Sequence, residues 1–258
     1  MSLKLLDEIK QKASQSKKTI ILPESHDERV LKAAEILTKE KIVSVITLGK
    51  EKEIKEKASA AKVNLNGIKI IDQLTNKNLD LFTKVFYELR KSKGISIEQA
   101  KETIHRDLFF AAMMLKEGMA DGAVGGSIAS TADVLRAGIM CVGLNPSISI
   151  VSSFFLMVLP EKNYTFADCG VVVDPDSHQL ADITISSAEN HKKLTGEEPY
   201  IAMLSFSTKG SATHEKIDKV LEAMKEVKSK RPDLHIDGEL QFDAAVVPSI
   251  AERKAPGS

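Results

Sequence analysis

Two segments of this chain gather residue types suited to holding an anion. In Gly122-Ala-Val-Gly125-Gly126-Ser127-Ile-Ala-Ser130-Thr131-Ala132-Asp133-Val-Leu-Arg136, an apolar run enters paired glycines, and hydroxyl residues stand where a helix would begin. Backbone N–H groups there, with the positive end of a helix dipole, are suited to an anion. Arg136 adds a cation about a turn and a half further on. The same residues also read as an ordinary helix start, with Ser130 or Thr131 as cap and Asp133 completing a capping box with Ser130. Their glycine spacing is not the dinucleotide-binding fingerprint. The second segment, Ser205-Phe206-Ser207-Thr208-Lys209-Gly210-Ser211-Ala212-Thr213, offers hydroxyls, a lysine and a glycine at a strand-to-helix junction, the chemistry of a phosphate cradle. It is not a Walker A loop, because the lysine precedes the glycine. A plain polar loop capped by Ser211 or Thr213 remains open.

A third set is acidic: Asp168, Asp174, Asp176, Asp237, Glu239 and Asp243. Clustered carboxylates suit Mg²⁺ or a general base, but their spacing fixes no coordination geometry, and Asp174-Pro175-Asp176 reads as a turn. His26, His105, His178, His191, His214 and His235 are scattered without metal-ligand spacing. Cys141 and Cys169 form neither a CxxC nor a Cys/His pattern, which argues against a metal site or a disulfide scaffold and for buried thiols. Arg90 closes a helix in a basic last turn, where its charge opposes the dipole and is equally suited to a cofactor phosphate.

These groups need a scaffold, and composition allows one. The 258 residues are 43% hydrophobic and 28% charged, the profile of an ordered globular protein. Lys plus Arg and Asp plus Glu are both 36, so no global basic field gathers nucleic acid or anionic lipid. No stretch approaches the roughly 18 apolar residues of a membrane span. Residues 1–18 are amphipathic and charged, without a signal peptide's apolar run, so the cytoplasm is the expected compartment.

Apolar spacing predicts alternating strands and helices. Strands are expected at 19–22, 42–48, 68–71 and 120–124, and helices at 27–39, 81–93, 96–117 and 132–142. After Asn145-Pro146 the texture changes to long apolar runs at 148–159, 166–173 and 200–206, read as sheet strands, with helices at 179–194 and 213–230. A boundary near Pro146 divides a first α/β domain, 1–146, from a second, 147–258. The alternation predicts parallel β-α units covered by helices on both faces, with ligands beyond the C-terminal ends of the strands.

Five ordered stretches resemble the phosphotransacetylase, or phosphate acetyl/butyryltransferase, family: Ala120-Asp-Gly-Ala-Val124, Ser130-Thr-Ala-Asp-Val-Leu-Arg136, Phe166-Ala-Asp-Cys169, Ala202-Met-Leu-Ser-Phe-Ser-Thr-Lys-Gly-Ser211 and Asp237-Gly-Glu-Leu-Gln-Phe-Asp-Ala-Ala245. The resemblance implies two α/β/α domains around a cleft, an isocitrate/isopropylmalate dehydrogenase-like architecture, and a homodimer. It implies acetyl transfer between coenzyme A and inorganic phosphate, with coenzyme A as substrate, no tightly bound cofactor and no catalytic metal. By the same resemblance, Ser130, Thr131, Arg136 and Arg90 contact coenzyme A, while Ser207, Thr208, Lys209, Gly210 and Ser211 are the phosphate candidates on the loop chemistry described above. The family's catalytic Asp and Ser-Arg pair correspond to positions beyond Ser258, so no catalytic residue is assigned and the second domain is expected to be incomplete at its C-terminus, either as part of a longer enzyme or as a truncated chain that needs a partner or has lost that chemistry. Competing readings are a phosphate butyryltransferase, a non-catalytic coenzyme A-binding or assembly module, and an NAD-dependent, metal-assisted hydroxyacid dehydrogenase.

Overall fold

A computed structural model describes residues 4–258, so the first three residues of the amphipathic 1–18 segment lie outside the described residues. The chain divides into two compact units, Leu6–Gly143 and Leu144–Ser258, the latter grouping with Lys4 and Leu5.

The first unit follows helix α1 (Lys4–Ser16) with β1 (Thr19–Leu22), α2 (Glu28–Lys39), β2 (Ser44–Leu48), α3 (Glu51–Ala60), β3 (Lys69–Ile71), α4 (Leu79–Arg90), α5 (Ile97–Ile104), α6 (Asp107–Lys116), β4 (Gly122–Ala123) and α7 (Thr131–Ala137). Its four strands form one parallel sheet in the order β3-β2-β1-β4. The pairing follows from the β-branched runs and the helical crossovers between them. Helix α6 is apolar nearly all round, Leu-Phe-Phe-Ala-Ala-Met-Met-Leu, and six of its residues are buried. A helix without a polar face belongs inside a core. Here Phe82 and Phe110 meet as tilted rings with centres 5.0 Å apart and Phe86 meets Phe109 edge-on at 6.0 Å, with Ile21, Ile46 and Leu48 of the sheet closing the cluster.

The single helix expected over 96–117 is two. Ser96 caps α5 through a full capping box with Gln99. At Arg106 the backbone then turns extended (φ −77°, ψ 134°) before α6 begins. The break separates the nearly all-apolar α6, with six buried residues, from α5, which buries only Ala100 and Ile104. The helix expected over 132–142 is α7 followed by a π-helical turn, Gly138–Val142.

The second unit contains β5 (Phe154–Val158), β6 (Asn163–Ala167), α8 (Ser177–Thr195), β7 (Tyr200–Leu204), α9 (Glu215–Lys230), β8 (His235–Leu240), α10 (Phe242–Val246) and α11 (Pro248–Lys254). Strands β7 and β8 pair in parallel, with α9 as their crossover and Ala181, Met203, Val220, Ala223 and Val227 buried together. Strands β5 and β6 depart from the parallel expectation. They are antiparallel, from Phe154 opposite Ala167 to Val158 opposite Asn163. The Leu159 N–H donates to the Lys162 carbonyl at 3.1 Å across Pro160-Glu161, and strands joined by so short a turn can pair only that way. No helix among the described residues is long and apolar enough to cross a membrane.

Candidate functional site

The Gly125-Gly126 turn leaves β4 and delivers the chain to α7. Gly126 adopts φ +102°, a backbone conformation that favours glycine, and a Cβ on Gly125 would lie 2.7 Å from the end of the Leu108 side chain, which would have to move aside. The next four backbone N–H groups converge on a single carboxylate. Gly126 and Ser127 donate to Glu24 Oε2 at 2.6 and 2.8 Å, and Ile128 and Ala129 donate to Oε1 at 3.0 and 2.7 Å. The anion expected at this turn is therefore the protein's own Glu24, and those four donors are already engaged. Glu24 sits just beyond β1 and is 3% exposed. Burial pushes its carboxyl up, but the four N–H bonds outweigh that and hold it below the usual carboxylate range.

Asp27 supports the same loop. It caps α2, accepts the Ser127 hydroxyl at 2.6 Å and pairs with Arg29, whose guanidinium also donates to the Ser127 carbonyl at 2.9 Å. The Arg29 and Ser127 hydrogen bonds depress the Asp27 carboxyl far below its ordinary range.

Ser130 caps α7, accepting the Asp133 N–H at 3.2 Å, while its hydroxyl donates to the Asp133 carboxylate at 2.8 Å. The expected capping box is thus half formed: the Asp133 side chain takes the serine hydroxyl rather than the cap's backbone N–H. Arg136 reaches Asp133 at 2.9 Å, and Arg106 reaches the same carboxylate oxygen at 3.3 Å. The Ser130 hydroxyl, then the Arg106 guanidinium, lower the Asp133 carboxyl. Ser130, Thr131 and Arg136 are exposed, so two guanidiniums on one carboxylate leave net positive charge beside an open hydroxyl pair. Arg90 stands apart from this group, with no hydrogen bond or ion pair to Ser130, Thr131 or Arg136 among the described residues. Its buried Nε has no hydrogen-bond partner among the described residues. Its charge slightly opposes the effect of burial on Cys141, whose thiol is pushed up to about 12. Both cysteines are free thiols, Cys141 buried and Cys169 half-buried.

In the second unit the 205–213 loop follows β7 as expected, and it too is folded around a carboxylate. Glu239, 2% exposed, accepts the Gly210 N–H at 2.6 Å and the Ser207 hydroxyl at 3.0 Å, and its carbonyl accepts the Lys209 N–H at 3.1 Å. Ser207 N–H donates to Ser205 Oγ, Thr208 N–H to Ser211 Oγ, Ser211 N–H to the Thr208 carbonyl and Ala212 N–H to Ser207 Oγ. Every backbone N–H from 207 to 212 is thus already bonded. Lys209, with φ +49°, pairs with Asp237 and donates to the Gly238 carbonyl at 3.2 Å. Lys209 and Ser211 are exposed, as are Phe206, Gly210, Ala212 and Thr213 of the same loop.

The remaining carboxylates of the acidic set are dispersed. Asp168 accepts the Gly170, Val171 and Ser153 N–H groups and the Ser153 hydroxyl; burial pushes it up, but these bonds prevail and hold it at about 2. Asp174 pairs with Lys216 and Lys219, Asp176 caps α8 in a capping box with Gln179, and Asp243 pairs with Lys254. No group of three His, Cys, Asp or Glu residues placed to hold a metal occurs among the described residues.

Glu24 and Arg106 lay outside the sequence reading. Glu24 is some hundred positions from the turn it fills, so no local pattern marks it. Arg106 was hidden inside what reads as one continuous helix.

Known proteins share this framework. Residues 4–258 match the family model described as "Phosphate acetyl/butaryl transferase". A curated phosphate acetyltransferase from Thermoanaerobacterium thermosaccharolyticum is 47% identical over 262 residues, covering 99% of this chain and 79% of that protein. The crystal structure of a phosphotransacetylase from Streptococcus pyogenes matches with a TM-score of 0.94 at 38% identity, covering 100% of this chain and 79% of the other. The EutD phosphotransacetylase from Staphylococcus aureus matches with a TM-score of 0.90 at 38% identity, over 98% and 78% of the two chains. On these grounds the chain belongs to the phosphate acetyl/butyryl transferase family.

Proposed function

We propose that this protein is a phosphate acetyltransferase, catalysing acetyl-CoA + phosphate = acetyl phosphate + CoA. The observation that carries this is near-half identity, over almost the whole chain, to a protein named for that activity. In the direction of thioester synthesis, the coenzyme A thiolate attacks the acetyl carbonyl, the C–O bond to phosphate breaks, and the thiol proton ends on the departing phosphate. A free thiol has a pKa of about 8.5 and is mostly protonated at neutral pH, so a base or positive field must raise its thiolate fraction.

In this reading the exposed Ser130-Thr131 pair and Arg136 receive coenzyme A, with Arg136 supplying a charge-assisted bond to a phosphate of the cofactor. Arg90 belongs to the same reading through its unpartnered Nε. Inorganic phosphate is assigned to the 207–211 loop. Because Glu239 and the loop's own hydroxyls hold its N–H groups, Lys209 is the group free to exchange a partner, leaving Asp237 for the ligand. The reading also carries domains at 1–146 and 147–258 with an isocitrate/isopropylmalate dehydrogenase-like architecture, a homodimer, and a cytoplasmic setting.

The test is thiol release from acetyl-CoA with and without inorganic phosphate, with a butyryl-CoA arm and coenzyme A binding measured in parallel. Phosphate-dependent release with acetyl-CoA favoured is the expected result. Preference for butyryl-CoA would move the assignment to butyryl transfer. A folded chain that binds coenzyme A but releases no thiol would make it a binding module.

A further inference from the structure

Glu24 does more for the 126–129 loop than a cap does for a helix. Four consecutive N–H groups, each 2.6 to 3.0 Å from one buried carboxylate, form a concave donor set of the kind that elsewhere receives phosphate or sulfate. The loop's own side chains contribute little to holding it. Gly126 and Ala129 have almost none, and Ile128 is 58% exposed. Ser127 adds a second anchor, through Asp27 and Arg29. The Glu24 carboxylate thus fixes the backbone that ends at Ser130, and Ser130 sets where α7 starts and where Thr131 and Arg136 are carried. Glu24 is itself fixed just past β1, a strand paired on both sides by β2 and β4, so the loop is tied to the centre of the sheet.

We propose that Glu24 is a positioning residue for coenzyme A: an internal anion that holds the 126–129 loop in the form that lets Ser130, Thr131 and Arg136 meet the cofactor together. This rests on the placement of coenzyme A given above. Glu24 does not touch the cofactor. Its effect passes through the loop backbone, whose displacement loosens the charge-assisted bond from Arg136, a loss of roughly ten- to a hundredfold in Kd.

Glu24→Gln and Glu24→Ala test it. Glutamine keeps the shape but presents an amide NH₂ to two of the four donors, and alanine empties the nest. Coenzyme A binding is measured by calorimetry well below the unfolding temperature, alongside hydrogen exchange at the amides of 126–129, each with and without formate, a carboxylate small enough for the emptied nest. The expected result is slow exchange at those amides in the unaltered chain and a Kd raised about ten- to a hundredfold in both variants. Formate should restore affinity and protection in Glu24→Ala but not in Glu24→Gln, where the side chain still fills the nest. A residue that only stabilised the fold would lower the melting temperature, leave Kd unchanged in the folded protein and show no response to formate. Equal affinities in the unaltered chain and Glu24→Gln would overturn the proposal while leaving the coenzyme A site standing. An unaltered chain that binds no coenzyme A would instead overturn the placement of the cofactor, and this proposal with it.

Discussion

Replacing Arg136 with alanine separates binding from folding, because the structure shows what remains after the guanidinium is gone. Arg136 is exposed and, among the described residues, its ion pair is with Asp133, at 2.9 Å. That carboxylate also accepts Arg106 at 3.3 Å and the Ser130 hydroxyl at 2.8 Å, so the substitution leaves no uncompensated charge. Exposed pairs of this kind add little to stability, and the urea midpoint should stay where it is. Coenzyme A should feel the loss directly: a charge-assisted hydrogen bond contributes about 1.5–3 kcal/mol, which corresponds to roughly a ten- to hundredfold rise in Kd. Arg136→Lys keeps the charge but not the planar fork and should fall between the two. Since the site is open to solvent, the difference between the unaltered chain and Arg136→Ala should shrink as ionic strength rises. Calorimetric titration at two salt concentrations, with urea unfolding of the same samples, reads all of this. An unchanged Kd in Arg136→Ala would refute the assignment, and a lowered urea midpoint would refute the account of Asp133.

The 207–211 loop yields a second expectation: Lys209→Ala should raise the Kd for inorganic phosphate by roughly ten- to a hundredfold, read by calorimetry, with coenzyme A affinity unaltered; an unchanged phosphate affinity would remove Lys209 from the site. Asp168 supplies a pH prediction. Its carboxyl is depressed from 3.8 to about 2, so its contribution to stability is complete above about pH 4 and is lost as the pH falls towards 2. That contribution is on the order of 2 kcal/mol, and Asp168→Asn should therefore flatten the acid limb of the unfolding curve over that interval; parallel curves would show that the Ser153, Gly170 and Val171 bonds are worth no more to the carboxylate than to the amide.

Local signals carried much of the fold. The β-branched run at 19–22 is β1 to the residue, and Ser96 with Gln99 forms the cap that their spacing suggests. Tyr200 opens a strand and Lys230 closes a helix as read. The misreadings share a cause. Apolar periodicity continues smoothly through His105 and Arg106, because both α5 and α6 bury apolar residues, and nothing local records that the chain changes direction between them. The run over 148–159 is apolar apart from Ser149, Ser152 and Ser153, yet only Phe154–Val158 is strand, since pairing depends on a partner and not on composition. Strand β8 went unread because Asp237, Gly238 and Glu239 are poor strand formers whose place is set by β7 and by the loop they hold. At the sites, hydroxyl and glycine patterns correctly marked loops rich in N–H donors. They gave no sign that Glu24 and Glu239, far off in the chain, occupy those donors.

The two cysteines have a practical consequence for handling the protein. Cys141 is walled into the aromatic core with its thiol pushed up to about 12 by burial, whereas Cys169 is half-buried in a loop, with the Ser153 hydroxyl 3.3 Å away. A maleimide fluorophore at neutral pH will therefore label the Leu144–Ser258 unit at one position, without mutagenesis, and the same thiol will set the blank of any disulfide-exchange colour reaction used to follow coenzyme A release.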